Sequence, residues 1–251
     1  MKFTWVIEPS DIEKVKALLD RYKDDYFVKR RRELNLQPNK PTVQRDEFWR
    51  QLVACLLTTV QRSGPTSFVA AFLRQEPFPL TYQACIGQAD PEAYAKDVLT
   101  KFGGIRRTNI IPKQIAANLG YLKAGTWQPT CDSIDRLRNN QNRSIERETA
   151  DFMRREYEGL GPKQSRNLLQ SLGLTRYEIP IDSRITDWLV KLGFPFPLPA
   201  KALADAAYYV FVMDRVQELC QACDVVPCIL DASIFTSYDK GGWNESNYVR
   251  W

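Results

Sequence analysis

The eight residues Glu158-Gly159-Leu160-Gly161-Pro162-Lys163-Gln164-Ser165 decide the fold of this chain. Two glycines flank one apolar residue, a proline follows, and a lysine begins a helical pattern. The preceding residues 144–157 also have a helical pattern. A helix, a tight Gly-x-Gly turn and a second helix present several backbone N–H groups in one direction, and this geometry suits a phosphate oxygen. The stretch therefore predicts a helical hairpin that binds phosphate.

A carboxylate follows the hairpin. Asp182 stands nineteen residues after Lys163 (182 − 163 = 19), where the apolar stretch Ile179-Pro180-Ile181 leads into it. A bare Gly-x-Gly is more typical of an ordinary helical hairpin, but an amine and a half-buried acid beside a phosphate clamp favour chemistry on a nucleic acid. Two simpler roles stay open. Lys163 would serve as a phosphate contact, and Asp182 would cap a helix over 184–192, which is compatible with catalysis.

Helical periodicity runs through the rest of the chain, and the best candidate strand, Thr4 to Ile7, is short. We therefore predict an all-α protein with two lobes that face each other across a cleft, with the hairpin at its mouth. The predicted parts are a helical extension (1–40), a helical lobe that also recruits the termini (41–130), the hairpin and the loop of Asp182 (131–192), and C-terminal helices that pack back on the core (193–251).

One boundary prediction concerns the middle of the chain. Residues 107–124 are predicted as a helix that Gly125 closes, because glycine is common just after a helix end. A loop with Trp127 and Pro129 follows, and a short helix covers 132–139.

The composition narrows the chemistry. The net charge is +5, from 35 basic and 30 acidic residues, so local clusters matter more than the total. Three local basic clusters would each line a phosphate track or form a solvated helix face. They are Lys29-Arg30-Arg31-Arg32, Arg106-Arg107 and the group Arg136, Arg138 and Arg143.

The chain has no histidine. Acid–base work therefore falls to carboxylates, lysine, tyrosine or water.

Three of the six cysteines, Cys220, Cys223 and Cys228, have a spacing like that of a metal site. They lie in an apolar helical pattern without a fourth ligand, and we interpret them as core residues. No apolar run is long enough to span a bilayer and no signal-peptide core is present. We expect no membrane association, a monomer, and a cytoplasmic, nucleoid-associated location, or a nuclear one in a eukaryote.

The region 157–186 resembles the helix–hairpin–helix motif and the following aspartate loop of the HhH-GPD superfamily of DNA glycosylases. The residues that carry the resemblance are Gly159-Leu160-Gly161-Pro162-Lys163 and Ile179-Pro180-Ile181-Asp182. Upstream, 56–62 (Leu-Leu-Thr-Thr-Val-Gln-Arg) is more weakly similar to the helix end that supplies DNA-wedging residues in that family. Elsewhere only the order of helices agrees.

The resemblance implies an enzyme that bends double-stranded DNA and flips a damaged nucleotide into the cleft. Lys163 matches the nucleophile of the bifunctional members, and its position at a helix N-terminus would favour the uncharged amine. Asp182 matches the essential carboxylate. The other implied DNA contacts are Gly159, Gly161, Gln164, Ser165 and Arg184, with Gln61 and Arg62 filling the gap left by the flipped base.

The resemblance also bears on cofactors. No cofactor is required, but the backbone carbonyls of Arg155, Tyr157 and Leu160 would hold a sodium or potassium ion next to the phosphate. Many relatives carry a four-cysteine iron–sulfur cluster, and we predict none here because the C-terminal region has only three cysteines. Relatives often have histidine after the aspartate, where this chain has Ser183-Arg184, and Arg184 would contact a phosphate instead.

These features favour a DNA glycosylase with AP-lyase activity on an oxidised purine such as 8-oxoguanine. A monofunctional glycosylase for alkylated, deaminated or mismatched bases and a non-catalytic DNA-binding protein are the alternatives. Trp188, Trp243 and Trp251 would stack on a damaged base, although a core position explains Trp188 better.

Overall fold

The computed structural model describes residues 5–239 and 242–250, and these residues form fourteen α-helices and no strand. The prediction of an all-α fold is confirmed. Trp5–Ile7 is not a strand, and Thr4 lies outside the described residues. The helices are α1 (Pro9–Tyr22), α2 (Tyr26–Asn35), α3 (Arg45–Leu57), α4 (Phe68–Leu73), α5 (Tyr82–Ile86), α6 (Pro91–Phe102), α7 (Ile111–Tyr121), α8 (Trp127–Asn139), α9 (Arg143–Glu156), α10 (Pro162–Ser171), α11 (Ser183–Leu192), α12 (Ala200–Leu203), α13 (Ala206–Ala222) and α14 (Pro227–Ser237).

The N-terminal helices share a core with the C-terminal ones. Helices α1 and α2 pack against α14, and the rings of Phe27 and Phe235 stack at 4.7 Å between centroids. Trp243 joins them, 5.3 Å from Phe27. It is buried, so the structure assigns it to the core. The four-part division of the chain stays a prediction.

A second group of helices, α3 and α5 to α7, packs together on the other side of the molecule. Helix α10 contacts both α3 and α9 and thereby ties the hairpin to this group. Nine of its ten residues are buried, and Lys163 is the exception. The buried polar residues of α10 have internal partners: the Arg166 guanidinium, for example, lies 2.7 Å from the carboxylate of Glu178. Because α10 is packed in this way, it holds its one unburied side chain, that of Lys163, with little conformational freedom.

The predicted loop around Trp127 and Pro129 is wrong. Helix α7 continues through a π-helical turn, Leu122–Thr126, directly into α8. Gly125 makes the kink at φ +108°, a backbone conformation that favours glycine. Pro129 is tolerated because it lies in the first turn of α8, where its missing N–H costs no helical hydrogen bond. Trp127 packs on Phe48, 5.6 Å between ring centroids.

Cys220, Cys223 and Cys228 are free thiols in the core. Burial raises the pKa of Cys228 to about 12, which keeps this thiol protonated and unreactive. Across the described parts of the chain, no group of three or more potential metal-binding side chains is found. Within the same residues no single helix is long and apolar enough to cross a membrane, although α13 and α14 pass that test as a pair bent by 97°.

Candidate active site

The hairpin turn is built around Gly159. This residue has φ +85°, and a β-carbon on it would lie 2.7 Å from the side chains of Gln114 and Leu56. Asn118 fixes the preceding residue: its amide accepts from the Glu158 N–H at 2.7 Å and donates to the Glu158 carbonyl at 3.0 Å. The turn therefore requires glycine at 159 for both conformation and space.

Gly161 differs from Gly159. Its φ is −82°, a backbone conformation that any residue can adopt. A β-carbon on Gly161 would meet no protein atom within 4 Å. The protein itself therefore does not require glycine at this position, and the open space leaves the first turn of α10 accessible to another molecule.

Lys163 stands in the first turn of α10 and is half-buried. Its charge acts on two buried groups. Burial raises the pKa of the Cys55 thiol to about 12, and Lys163 opposes this rise. Burial also raises the pKa of Asp231 to about 6, and Lys163 is among the charges that lower it. The amine therefore lies close to the end of α3 on one side and to α14 on the other.

Asp182 is the N-cap of α11. Its Oδ1 accepts from the backbone N–H groups of Arg184 at 2.8 Å and Ile185 at 3.1 Å. Its Oδ2 accepts from the Arg184 guanidinium at 3.2 Å. The capping role predicted for Asp182 is thus confirmed. Its side chain stays 19% exposed, so a ligand can still reach this carboxylate.

Asp231 brings these two residues into one site. It is 5% exposed on α14 and accepts a hydrogen bond from Gln170. Burial raises the pKa of Asp231, and the charge of Arg31 lowers it. The negative charge of Asp182 raises this pKa further, and the positive charge of Lys163 lowers it. An amine and a carboxylate that both act on the same buried acid lie in one neighbourhood. The sequence does not indicate Asp231 as a site residue, because a lone acid in the apolar pattern of α14 carries no local signal.

Two predicted DNA contacts of the hairpin face the protein interior. The amide of Gln164 donates to the Cys55 carbonyl at 2.7 Å and to the hydroxyls of Thr58 and Thr59 at 3.1 and 2.9 Å. Only its backbone N–H is left for a phosphate. Ser165 is fully buried, its hydroxyl donates to the Pro162 carbonyl at 3.1 Å and its N–H to Gly161. This placement corrects the prediction that Ser165 contacts DNA.

Gln61 also has an internal role. Its side-chain amide accepts from the Arg106 N–H at 2.7 Å and donates to the Leu57 carbonyl at 2.7 Å. It therefore fastens residues 58–62 to residues 103–107, and it cannot fill a gap in DNA without breaking these bonds. The exposed neighbour is Val60, at 76% exposure and φ +59°. A β-branched residue rarely adopts that conformation, and such strain is concentrated at functional sites.

Val60 belongs to a surface that we call the two-loop face, formed by Val60, Arg62, Phe68, Arg106 and Arg107. Phe68 is 63% exposed and packs along Gly104. Within the described residues, none of the three arginines has a carboxylate oxygen within 4 Å. Exposed apolar side chains beside unneutralised arginines suit a distorted DNA duplex.

Several residues of the other basic clusters pair with neighbouring acids. These ion pairs are Lys29–Asp24, Arg30–Glu33, Arg136–Glu148 and Arg138–Asp135. They belong to solvated helix faces, which is one of the two interpretations that the sequence left open. Arg31 is instead buried and donates to the Gln170 carbonyl at 3.2 Å.

No family model matches the sequence, and no curated protein is significantly similar to it. The fold, however, is that of helical DNA glycosylases. The 8-oxoguanine DNA glycosylase of Thermotoga maritima superposes with a TM-score of 0.65 at 15% identity, over 93% of this chain and 98% of that one. The 8-oxoguanine DNA glycosylase of Methanocaldococcus jannaschii gives 0.59 at 18% identity, over 90% and 92%.

A further structure shows the Methanocaldococcus jannaschii 8-oxoguanine glycosylase/lyase in complex with a 15mer DNA that contains 8-oxoguanine. It superposes with a TM-score of 0.61 at 18% identity, over 90% of this chain and 96% of that one. At these identities the similarity establishes the shared fold, and it confirms the two-lobed helical architecture predicted from the hairpin.

Proposed function

We propose that this chain is a DNA glycosylase with AP-lyase activity, which flips an oxidised purine such as 8-oxoguanine out of double-stranded DNA and excises it. One observation carries the proposal: Lys163, the only unburied residue of α10, and Asp182, the partly exposed N-cap of α11, lie within electrostatic range of the same buried acid, Asp231. The fold shared with 8-oxoguanine glycosylases supports it. A protein that only binds DNA needs neither the amine nor the carboxylate.

DNA docks, in this proposal, on two surfaces. The backbone N–H groups of Gly159, Gly161, Lys163 and Gln164 bind a phosphate, helped by the positive end of the α10 dipole. The two-loop face meets the minor groove, where Val60 enters the space that the flipped base leaves and Arg62, Arg106 and Arg107 contact phosphates. This assignment replaces Gln61 with Val60 as the gap-filling residue.

The chemistry follows from an uncharged amine. Lys163 Nζ attacks C1′ of the deoxyribose, a C1′–N bond forms, and the glycosidic bond breaks as the base leaves with the bonding electrons and takes up a proton. The new nitrogen gives up one proton and O4′ takes up one proton as the C1′–O4′ bond opens, which yields a protonated Schiff base. Removal of a C2′ proton then breaks the C3′–O3′ bond and nicks the strand. Asp182 stabilises the positive charge that develops on the sugar.

Asp231 supplies the proton acceptor that Lys163 requires. A lysine must lose a proton before it can attack, and most carboxylates are poor acceptors near neutral pH. Burial raises the pKa of Asp231 to about 6. Its position near the amine therefore suits it to take the proton, directly or through a water molecule.

The hairpin also has the donors for the alkali ion. Arg155, Tyr157 and Leu160 line a cavity of about 580 Å³ beside the turn. Arg155 lies in the last turn of α9 and Tyr157 is its C-cap, and oxygen donors at the negative end of a helix suit a cation. The residues fit such an ion, which would neutralise charge on a bound phosphate.

A release assay tests the proposal. Wild type, Lys163→Gln, Asp182→Asn and the exposed control Lys96→Gln are incubated with duplexes that carry 8-oxoguanine, uracil, thymine glycol, an alkylpurine or a mismatch. We expect wild type and the control to release 8-oxoguanine and nick the strand. Asp182→Asn loses about 10²- to 10⁴-fold in release, and Lys163→Gln loses strand cleavage.

Two outcomes contradict this assignment in different ways. Base release without nicking, unchanged in Lys163→Gln, shows a monofunctional glycosylase that uses water. Duplex binding without release of any base, undiminished in Asp182→Asn, shows a non-catalytic DNA-binding protein.

A further inference from the structure

Arg184 lies between two carboxylates rather than in solvent. Its Nη1 is 3.2 Å from Asp182 Oδ2 and its Nη2 is 3.5 Å from Asp239 Oδ1. The guanidinium carbon lies 4.1 Å from the ring centroid of Phe235. The side chain is only 18% exposed. Each end of the guanidinium fork is therefore occupied by a carboxylate, and its face is covered by an aromatic ring.

Asp239 is itself held in place. Its side chain is 8% exposed, and its Oδ2 accepts from the Trp243 indole at 3.0 Å. A β-carbon on Gly64 would lie 2.7 Å from its Oδ1, so the backbone at Gly64 approaches it closely. Burial raises the pKa of Asp239, and the charge of Arg184 opposes that rise. Asp239, just after the end of α14, is thus held in place by Trp243 and by the backbone at Gly64.

We propose that Arg184 is a positioning residue that acts through Asp182, held by Asp239, and not a phosphate contact. This inference rests on the proposed glycosylase function. Oδ1 of Asp182 is already fixed by two backbone N–H groups, and Arg184 fixes Oδ2. Together they leave the carboxylate of Asp182 one orientation.

The charges around Asp182 explain the need for its ion pair with Arg184. Asp182 lies within electrostatic range of both Asp231 and Asp239. Without Arg184, Asp239 faces Asp182 with no cation between them. Repulsion between the two carboxylates then favours rotation of Asp182, which moves its negative charge away from the position where the sugar becomes positive.

A positioning role and a phosphate-contact role for Arg184 predict different experimental results. We measure single-turnover excision of 8-oxoguanine, and binding to a duplex that carries a tetrahydrofuran abasic-site analogue at several salt concentrations. The variants are Arg184→Gln, Arg184→Lys, Asp239→Asn and the control Asp187→Asn, which removes an exposed partner of Lys191 on the same helix. Thermal unfolding checks that each variant is folded.

We expect Arg184→Gln to slow excision about 10- to 100-fold, with affinity for the analogue within about twofold and an unchanged salt slope. Asp239→Asn slows excision in the same direction, because Arg184 loses the carboxylate that holds it. Arg184→Lys, which keeps the charge but loses the fork, lies between Arg184→Gln and wild type, and Asp187→Asn matches wild type.

The inference is overturned if Arg184→Gln excises at the wild-type rate at saturation while its salt slope falls by about 1, because that is the signature of a phosphate contact. The inference is also overturned if Asp239→Asn excises 8-oxoguanine at the same rate as the wild type. Failure of the proposed function looks different: wild type itself then releases no base, and the positioning role falls with it.

Discussion

Replacing Asp231 with asparagine tests two effects of its buried charge, namely the cost in unfolding free energy and the proposed role in catalysis. Asparagine keeps the size of the side chain and an oxygen that accepts from Gln170, but it cannot ionise. Burial raises the pKa of Asp231 from 3.8 to about 6. This difference corresponds to about 3 kcal/mol of unfolding free energy at about 1.4 kcal/mol per pH unit.

The raised pKa of Asp231 determines how its contribution to stability changes with pH. A group whose pKa is higher in the folded protein contributes stability below its unfolded pKa, and this contribution is lost as pH rises through the folded pKa. The wild type therefore loses this stability between pH about 4 and about 6. We expect Asp231→Asn to unfold like the wild type at pH 4 and to be more stable at pH 8 by up to about 3 kcal/mol, or roughly 6 to 12 °C in Tm.

The assay is thermal unfolding from pH 4 to pH 8, combined with single-turnover excision at pH 8. Because Asp231 accepts the proton of Lys163 in our proposal, the variant is expected to gain stability and lose at least about tenfold in rate. Asp187→Asn is the control: ion pairing lowers the pKa of Asp187, so its loss gives no gain in stability at pH 8. A stability difference that does not change with pH, or a less stable Asp231→Asn at pH 8, refutes the reasoning.

Four further substitutions test the hairpin and the two-loop face. Gly159→Ala lowers the unfolding free energy by about 1–3 kcal/mol in denaturant titrations, because of its positive φ and its contact with Leu56. Gly161→Ala instead leaves stability unchanged and weakens duplex binding, and the reverse pattern would contradict phosphate binding at this turn. Val60→Gly relieves strain worth about 1 kcal/mol but slows excision, and an unchanged excision rate would remove Val60 as the gap-filling residue. Asn118→Ala lowers the unfolding free energy by about 1–3 kcal/mol, because two hydrogen bonds to Glu158 are lost. A variant as stable as the wild type would contradict the role of Asn118 in the turn.

The predictable features of the site are local in sequence. Gly159 takes the positive φ that its turn requires, and Asp182 caps the helix that begins at Ser183, because each role depends on neighbours within a few residues. The helical fold class follows from periodicity in the same way. These features identify the hairpin and its acid without any knowledge of the packing.

The remaining features depend on contacts between distant segments. Gln61 bonds to a backbone 45 residues away, and Gln170 pairs with Asp231 across 61 residues. A polar residue at a helix end looks the same in sequence whether it faces DNA or closes a loop, so the sequence does not reveal that the Gln61 side chain bonds internally while Val60 is exposed. The bridge from Arg184 to Asp239 is equally invisible, since only the fold brings the segment after α14 to the N-terminus of α11.

Borohydride trapping tests the central claim most directly. Wild type, Lys163→Gln and Lys96→Gln are incubated with an 8-oxoguanine duplex and sodium borohydride, and the adduct is located by mass spectrometry of the digested protein. We predict a covalent adduct on the peptide that contains Lys163, in wild type and Lys96→Gln but not in Lys163→Gln. An adduct of equal yield in Lys163→Gln, or excision by wild type without any adduct, contradicts the account.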